Sequence, residues 1–172
     1  ARGKHADELT PATVELISQS APLHDIGKVG VPDRILLKPT DLTADEYEEM
    51  KRHPIYGGEA IRRTEHLLGP NSFLRFAREI AEAHHENWDG SGYPYGLRGE
   101  EIPISARAMA IADVYDALVS ARSYKPPISH EEALKEILKG SGSHFDPEMV
   151  DALVALQDEF KRVSRKYSDA GL

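Results

Sequence analysis

The sequence predicts an all-α protein, and three observations carry that prediction. Apolar residues recur at three- and four-residue intervals through most of the chain, no alternating β-branched run bounded by turns is present, and two Ser/Thr-x-x-Glu capping boxes open apolar stretches. With 172 residues, 40% hydrophobic and 29% charged, the chain has the size and composition of one globular domain with a single core. No apolar run approaches the ~18 residues a membrane span requires, and the N-terminal stretch lacks the apolar segment of a signal peptide. A cytoplasmic protein without a membrane span is therefore expected.

The elements follow in order. Thr10 opens a first helix with Pro11 in its first turn, where a missing N–H costs nothing, and the helix continues through Val14, Leu16, Ile17 and Leu23, bent or divided by Pro22. After a turn over residues 27–32 and a short helical turn at Ile35–Leu37, Thr43 and Glu46 form a capping box for a helix that reaches Lys51 and is broken by His53-Pro54. Helices are predicted over Ile55–Leu68 and Ser72–Glu86, the second with Phe73, Phe76, Ile80 and Ala83 on one stripe. Residues 87–103 hold Gly90, Gly92, Pro94, Gly96, Gly99 and Pro103, too many breakers for helix or strand, and form one long loop. An apolar helix with two embedded acids, Asp113 and Asp116, runs from Ile104 to Ser120. Ser129 and Glu132 cap a helix that stops at Gly140, and Asp146-Pro147 starts a last helix carrying Met149, Val150, Leu153, Leu156 and Phe160. No repeat, linker or second domain is visible, so residues 1–172 read as one domain.

The chemistry is bounded by what is missing. The chain has no cysteine, which excludes disulfides, thiolate metal sites and cysteine nucleophiles. Its formal charge of −8 argues against DNA as a partner, because sequence-independent phosphate binding relies on a basic face. Any metal must be held by nitrogen and oxygen. His24-Asp25, His53-Pro54 and His84-His85, together with Asp113, make a candidate set of six ligands suited to iron, manganese or zinc in a catalytic site. Neighbouring helical residues point about 100° apart, so His24 and Asp25 present different vectors. An Asp25 that bridges two ions resolves this and leaves a bridging hydroxide as nucleophile. His84 and His85 diverge likewise, which requires their ion to sit near the end of their helix. Asp113 is costly in an apolar helix unless paired or metal-bound.

Taken together, His24-Asp25-Ile26-Gly27-Lys28, Val31-Pro32-Asp33, His84-His85-Glu86, Asp89-Gly90-Ser91-Gly92-Tyr93-Pro94 and Ala112-Asp113-Val114-Tyr115-Asp116-Ala117-Leu118 resemble the HD-GYP family of bacterial HD-superfamily phosphohydrolases, which cleave cyclic di-GMP. The likeness runs from about residue 9 to residue 160. It implies a compact helical bundle around two or three divalent metal ions, iron or manganese, with His24, Asp25, His53, His84, His85 and Asp113 as ligands and Asp25 bridging. It sets Lys28 beside the scissile phosphate and makes Lys28, Asp116, Arg122 and Lys125 candidate substrate contacts. Arginine suits bidentate phosphate or guanine recognition, and lysine supplies a point charge.

The resemblance also implies that Gly92, Tyr93 and Pro94 form a loop that stacks on a base, grips a partner such as a diguanylate cyclase domain, or pins itself to the body of the protein. The expected reaction is hydrolysis of cyclic di-GMP to linear pGpG, with a second cut to GMP left open. Two alternatives stay open: another cyclic dinucleotide such as cyclic GMP-AMP, or a weakly active or inactive regulatory module that binds a dinucleotide or a cyclase. The chain departs from the family pattern at Ser123, where many members carry proline, and at its start. Only 23 residues precede His24, whereas family members add an upstream helix with a further histidine ligand, and His5 is not assigned that role. The expectation is a domain lacking its first helix and an upstream receiver or sensor domain, with a homodimer as one possible assembly.

Overall fold

The structure, a computed structural model, describes residues 5, 7–69, 71–120 and 126–168. Among the described residues all regular structure is helical, apart from an isolated bridge between Ser141 and Phe145. The chain divides into two compact units: one runs through His85 and includes Tyr93–Tyr95, and the other holds Glu86–Gly92 and the residues from Gly96 onward.

In the first unit α1 (Pro11–Ser20) starts as the sequence predicts, with the Thr10 hydroxyl accepting from the Thr13 N–H and Pro11 in the first turn. Pro22 does divide the segment: Ala21–Leu23 form a separate 3-10 turn, and a second one covers Ile26–Gly30. Then come α2 (Asp33–Leu36) and α3 (Ala44–Met50), the latter with both halves of the Thr43/Glu46 capping box formed. His53-Pro54 is not a break between helices but the first turn of α4 (His53–Leu68), where proline leaves no helical hydrogen bond unmade. That correction matters, because it makes His53 the opening residue of a rigid helix. α5 spans Ser72–Ala83, capped by the Asn71 side chain, and ends before the predicted Glu86. The chain turns away at His84, and the Glu86 carboxylate accepts instead from the Leu97 N–H at 3.0 Å. Ile61, Ala77 and Ala81 form the core between α4 and α5, with Leu23 and Leu74 packed on it. Phe76, Ile80 and Ala83 of the predicted stripe are buried, whereas Val14 of α1 is half exposed.

The second unit contains α6 (Ile104–Val119), α7 (His130–Lys139), α8 (Pro147–Ala155) and α9 (Gln157–Ser168). The long loop at its start is irregular except for a 3-10 turn at Gly99–Glu101. The single predicted last helix is in fact two. Leu156 lies at the break, half exposed and outside the core, and the change of direction brings Phe160 edge-on to Tyr115 at 5.1 Å. Ile111, Tyr115, Ala133, Leu134, Ile137, Phe145, Val150 and Leu153 form the core of this unit. Among the described residues no helix is long and apolar enough to cross a membrane.

Candidate metal centre

The first unit gathers five of the six predicted ligands from three segments. The Ala21–Leu23 turn delivers His24 and Asp25, the start of α4 delivers His53, and the end of α5 delivers His84 and His85. Glycine makes this convergence possible. A Cβ on Gly27 would lie 1.9 Å from the His53 carbonyl oxygen and 2.4 Å from the Gly57 nitrogen, so only hydrogen fits between the His-Asp turn and α4.

The side chains then meet. One ligand atom from each of His53, His84 and His85 lies within 4.8 Å of the other two. The His24 and His84 rings are 5.3 Å apart, His53 and His85 5.0 Å, and His84 and His85 4.0 Å. Asp25 sits among them with its two oxygens facing different ways. Oδ1 is 3.3 Å from His53 Nε2 and 4.0 Å from His84 Nε2, while Oδ2 is 3.3 Å from His24 Nε2 and 2.6 Å from Lys28 Nζ.

The protonation pattern points lone pairs at the carboxylate. His53 Nδ1 lies 2.8 Å from the Met50 carbonyl and His84 Nδ1 2.9 Å from the Ile80 carbonyl, and a carbonyl only accepts, so each Nδ1 must carry the hydrogen. Burial, the largest influence on both, holds their basicity down, His84 to about 4, so both are neutral near pH 7 with a bare lone pair on Nε2. Desolvation also depresses His85, reinforced by the neighbouring histidines. Burial alone would raise Asp25, but hydrogen bonds from His24 and Lys28 and the lysine charge outweigh it and keep the carboxyl far below the usual range. Asp25 is thus an anion whose Oδ1 faces lone pairs. Asp25 Oδ1, His53 Nε2 and His84 Nε2 are buried without a hydrogen-bond partner. Three acceptors facing one another are unfavourable unless a cation lies among them, so the donor set fits a divalent metal.

Lys28 is about a third exposed, on Asp25. Tyr93 lies half-buried against His85, and Gly92 is hemmed in, since a Cβ there would meet the Asn87 nitrogen at 2.2 Å. Asp113 and Asp116 are on α6 in the second unit, Asp113 half-buried and Asp116 exposed, with the Ser120 hydroxyl donating to Asp116 at 3.1 Å. Arg122 and Lys125, with Ser123 and Tyr124, lie outside the described residues. Two features escape the sequence reading. One is the packing role of Gly27 against Gly57, for which the Gly57-Gly58 pair inside a helical pattern is the available signal. The other is Lys51, whose ammonium lies 5.5 Å from the Tyr47 ring centre and 5.6 Å from that of Tyr93.

Residues 4–149 match the sequence profile of the HD domain family. A Vibrio cholerae protein named cyclic di-GMP phosphodiesterase is 55% identical over 162 residues, covering 94% of this chain and 33% of the relative. A Thermotoga maritima cyclic di-GMP phosphodiesterase is 47% identical over 169 residues, covering 97% of this chain and 45% of the relative. The 3'3'-cGAMP-specific phosphodiesterase 2 of Vibrio cholerae is 44% identical over 165 residues, covering 96% and 31%. The chain thus spans less than half the length of these curated relatives.

Proposed function

Because this chain belongs to the HD domain family, in its HD-GYP branch, we propose that it is a metal-dependent phosphodiesterase of the cytoplasm that opens cyclic di-GMP to linear pGpG. The observation that carries the reading is the anionic Asp25 set between histidine lone pairs, with Lys28 beside it. His24 and Asp25 would hold one ion, and Asp25, His53, His84 and His85 a second, iron or manganese by the nitrogen and carboxylate character of the set. Asp113 belongs to the proposed ligand set through its motif. Bound ions of this kind polarise phosphoryl oxygens and bring the pKa of water towards neutrality.

The chain's own residues supply the rest. Asp25 offers one oxygen to each side of the cluster and fixes the spacing of whatever the histidines bind. His24 and His53 are aimed by their Nδ1 contacts to the carbonyls of Ala21 and Met50, at 2.9 and 2.8 Å, which set both ring planes; His53 Nε2 is already bare, while His24 Nε2 would have to give up the hydrogen it donates to Asp25. Lys28 keeps a partly exposed ammonium at the edge of the site, where it pairs with a non-bridging phosphate oxygen as negative charge builds up. Asp116, Arg122 and Lys125 are proposed substrate contacts, and a diguanylate cyclase domain is a proposed partner of the Gly92-Tyr93-Pro94 loop, both on the family resemblance.

A second reading, hydrolysis of 3'3'-cGAMP, is favoured by the relative specific for that dinucleotide. Incubation with each dinucleotide in excess Mn(II), followed by chromatography of the products, decides between them. Faster conversion of cyclic di-GMP to pGpG supports the first reading and faster opening of cGAMP the second. Cleavage of neither, or cleavage that survives Asp25→Ala, contradicts both.

A further inference from the structure

Four histidines surround Asp25, and three are held in the same way. The Nδ1 atoms of His24, His53 and His84 lie 2.9, 2.8 and 2.9 Å from the carbonyls of Ala21, Met50 and Ile80. Such a contact fixes the tautomer and the ring plane of a ligating imidazole. The His85 ring makes no hydrogen bond among the described residues, and it sits just past the end of α5, where the helix no longer constrains it.

What it has instead is Tyr93. The two rings are stacked, with centroids 4.8 Å apart and planes within 26°. The Tyr93 N–H donates to the His85 carbonyl at 3.2 Å, so backbone and side chain of the tyrosine engage the same residue. Lys51 places its ammonium 5.6 Å from the Tyr93 ring centre, within cation–π range, and is itself held by Glu48 at 2.6 Å. A chain of contacts thus runs from α3 through Lys51 and Tyr93 to His85.

We propose that Tyr93 is a positioning residue for His85, its stacked ring doing for this histidine what a backbone carbonyl does for the other three. The proposal rests on the metal-centre reading above and adds to it the means by which the loop controls one ligand. Stacking also favours the coordinated state: an imidazole that donates its lone pair to a cation becomes electron-poor, and the electron-rich face of the tyrosine ring interacts more strongly with it than with the free base. Loss of the ring should therefore weaken metal binding rather than folding. The proposal gives this role to the ring, so phenylalanine should serve in it.

The test uses chelator-stripped wild type, Tyr93→Leu and Tyr93→Phe, with Mn(II) affinity read from the paramagnetic resonance of the free ion. The histidine ring protons of the metal-free proteins are followed by NMR, with His85→Gln to assign the signal. Tyr93→Leu should weaken Mn(II) binding about tenfold, in the range of other groups that orient metal ligands. It should also move the His85 ring protons, which lie in the ring current of Tyr93. Tyr93→Phe should keep both at wild-type values, and the metal-free melting temperatures should agree. Tyr93→Met fills the space without a ring and carries the same test if the leucine variant does not fold.

Wild-type affinity in Tyr93→Leu, unmoved His85 resonances, or equal weakening in the leucine and phenylalanine variants would each overturn the proposal. Failure of the wild type itself to bind Mn(II) overturns the metal-centre reading instead. The NMR arm keeps the two failures apart, because the stack is visible without metal.

Discussion

Each unit buries a cluster of ionisable side chains, and the two clusters are finished differently. In the second unit Arg107 and Asp146, both less than 10% exposed, meet at 2.8 Å, and the same carboxylate accepts the Glu148 N–H at 2.9 Å to cap α8. Charge answers charge there. In the first unit the Asp25 carboxylate has Lys28 on one oxygen, while the other faces the lone pairs of His53 and His84. Arg107 Nε also lacks a hydrogen-bond partner, so what separates the clusters is charge: in one an opposite charge neutralises the buried carboxylate, and in the other an anion faces lone pairs, an arrangement that a cation relieves.

Substitutions should separate the two clusters. The largest effect is expected at Asp25: Asp25→Ala should lower phosphodiesterase turnover by roughly 10³-fold or more. It should lose metal more completely than His53→Ala, since one carboxylate serves both sides of the cluster; kinetics with metal analysis checks this. The metal-free Asp25→Ala protein should be somewhat less stable than its parent at neutral pH, because the hydrogen bonds and the lysine charge that hold the carboxyl ionised are lost with it. Arg107→Met should leave metal affinity alone but cost about 3–5 kcal/mol of stability by stranding Asp146. Adding Asp146→Asn, which keeps the α8 cap, should recover most of that loss in urea unfolding.

Acid sharpens the contrast. His84 is held at about 4 in the folded protein against 6.5 when free. Between those values the unfolded chain carries a proton that the native one lacks. The metal-free protein therefore has its full stability above about pH 6.5 and should lose about 3 kcal/mol as pH falls towards 4. His53 and His85 shift in the same direction and steepen the slope. Urea unfolding at several pH values measures it, and His84→Leu should flatten it. The smallest effect belongs to Gly58, where a Cβ would meet the flexible Glu82 side chain at 2.3 Å and move it off Arg62 and Arg78. Gly58→Ala should cost about 1 kcal/mol or less, since surface ion pairs contribute little and the side chain can swing aside.

The clustering of His24, Asp25, His84 and His85 is legible because adjacency carries it: His24-Asp25 and His84-His85 are unusual as pairs, and the motifs around them restrict the reading further. Helix starts were legible where a side chain caps them, at Thr10, Thr43 and Ser129. Helix ends were less so. α5 stops at Ala83 rather than Glu86 because the Glu86 carboxylate is drawn to the Leu97 N–H, a tertiary contact that periodicity does not register. His53-Pro54 was misread because proline closes one helix and opens the next with equal ease. The Arg107–Asp146 pair spans 39 residues and leaves no local trace. Arg122 and Lys125, read as substrate contacts, lie outside the described residues.

Titration of Mn(II) into chelator-stripped wild type and Asp25→Ala, followed by calorimetry and by the rise in melting temperature, tests the metal centre most directly. Wild type should bind and be stabilised by the ion, while Asp25→Ala should gain little from Mn(II) over its own metal-free melting temperature. Absence of binding to the wild type, or equal binding and stabilisation of the variant, would contradict the account.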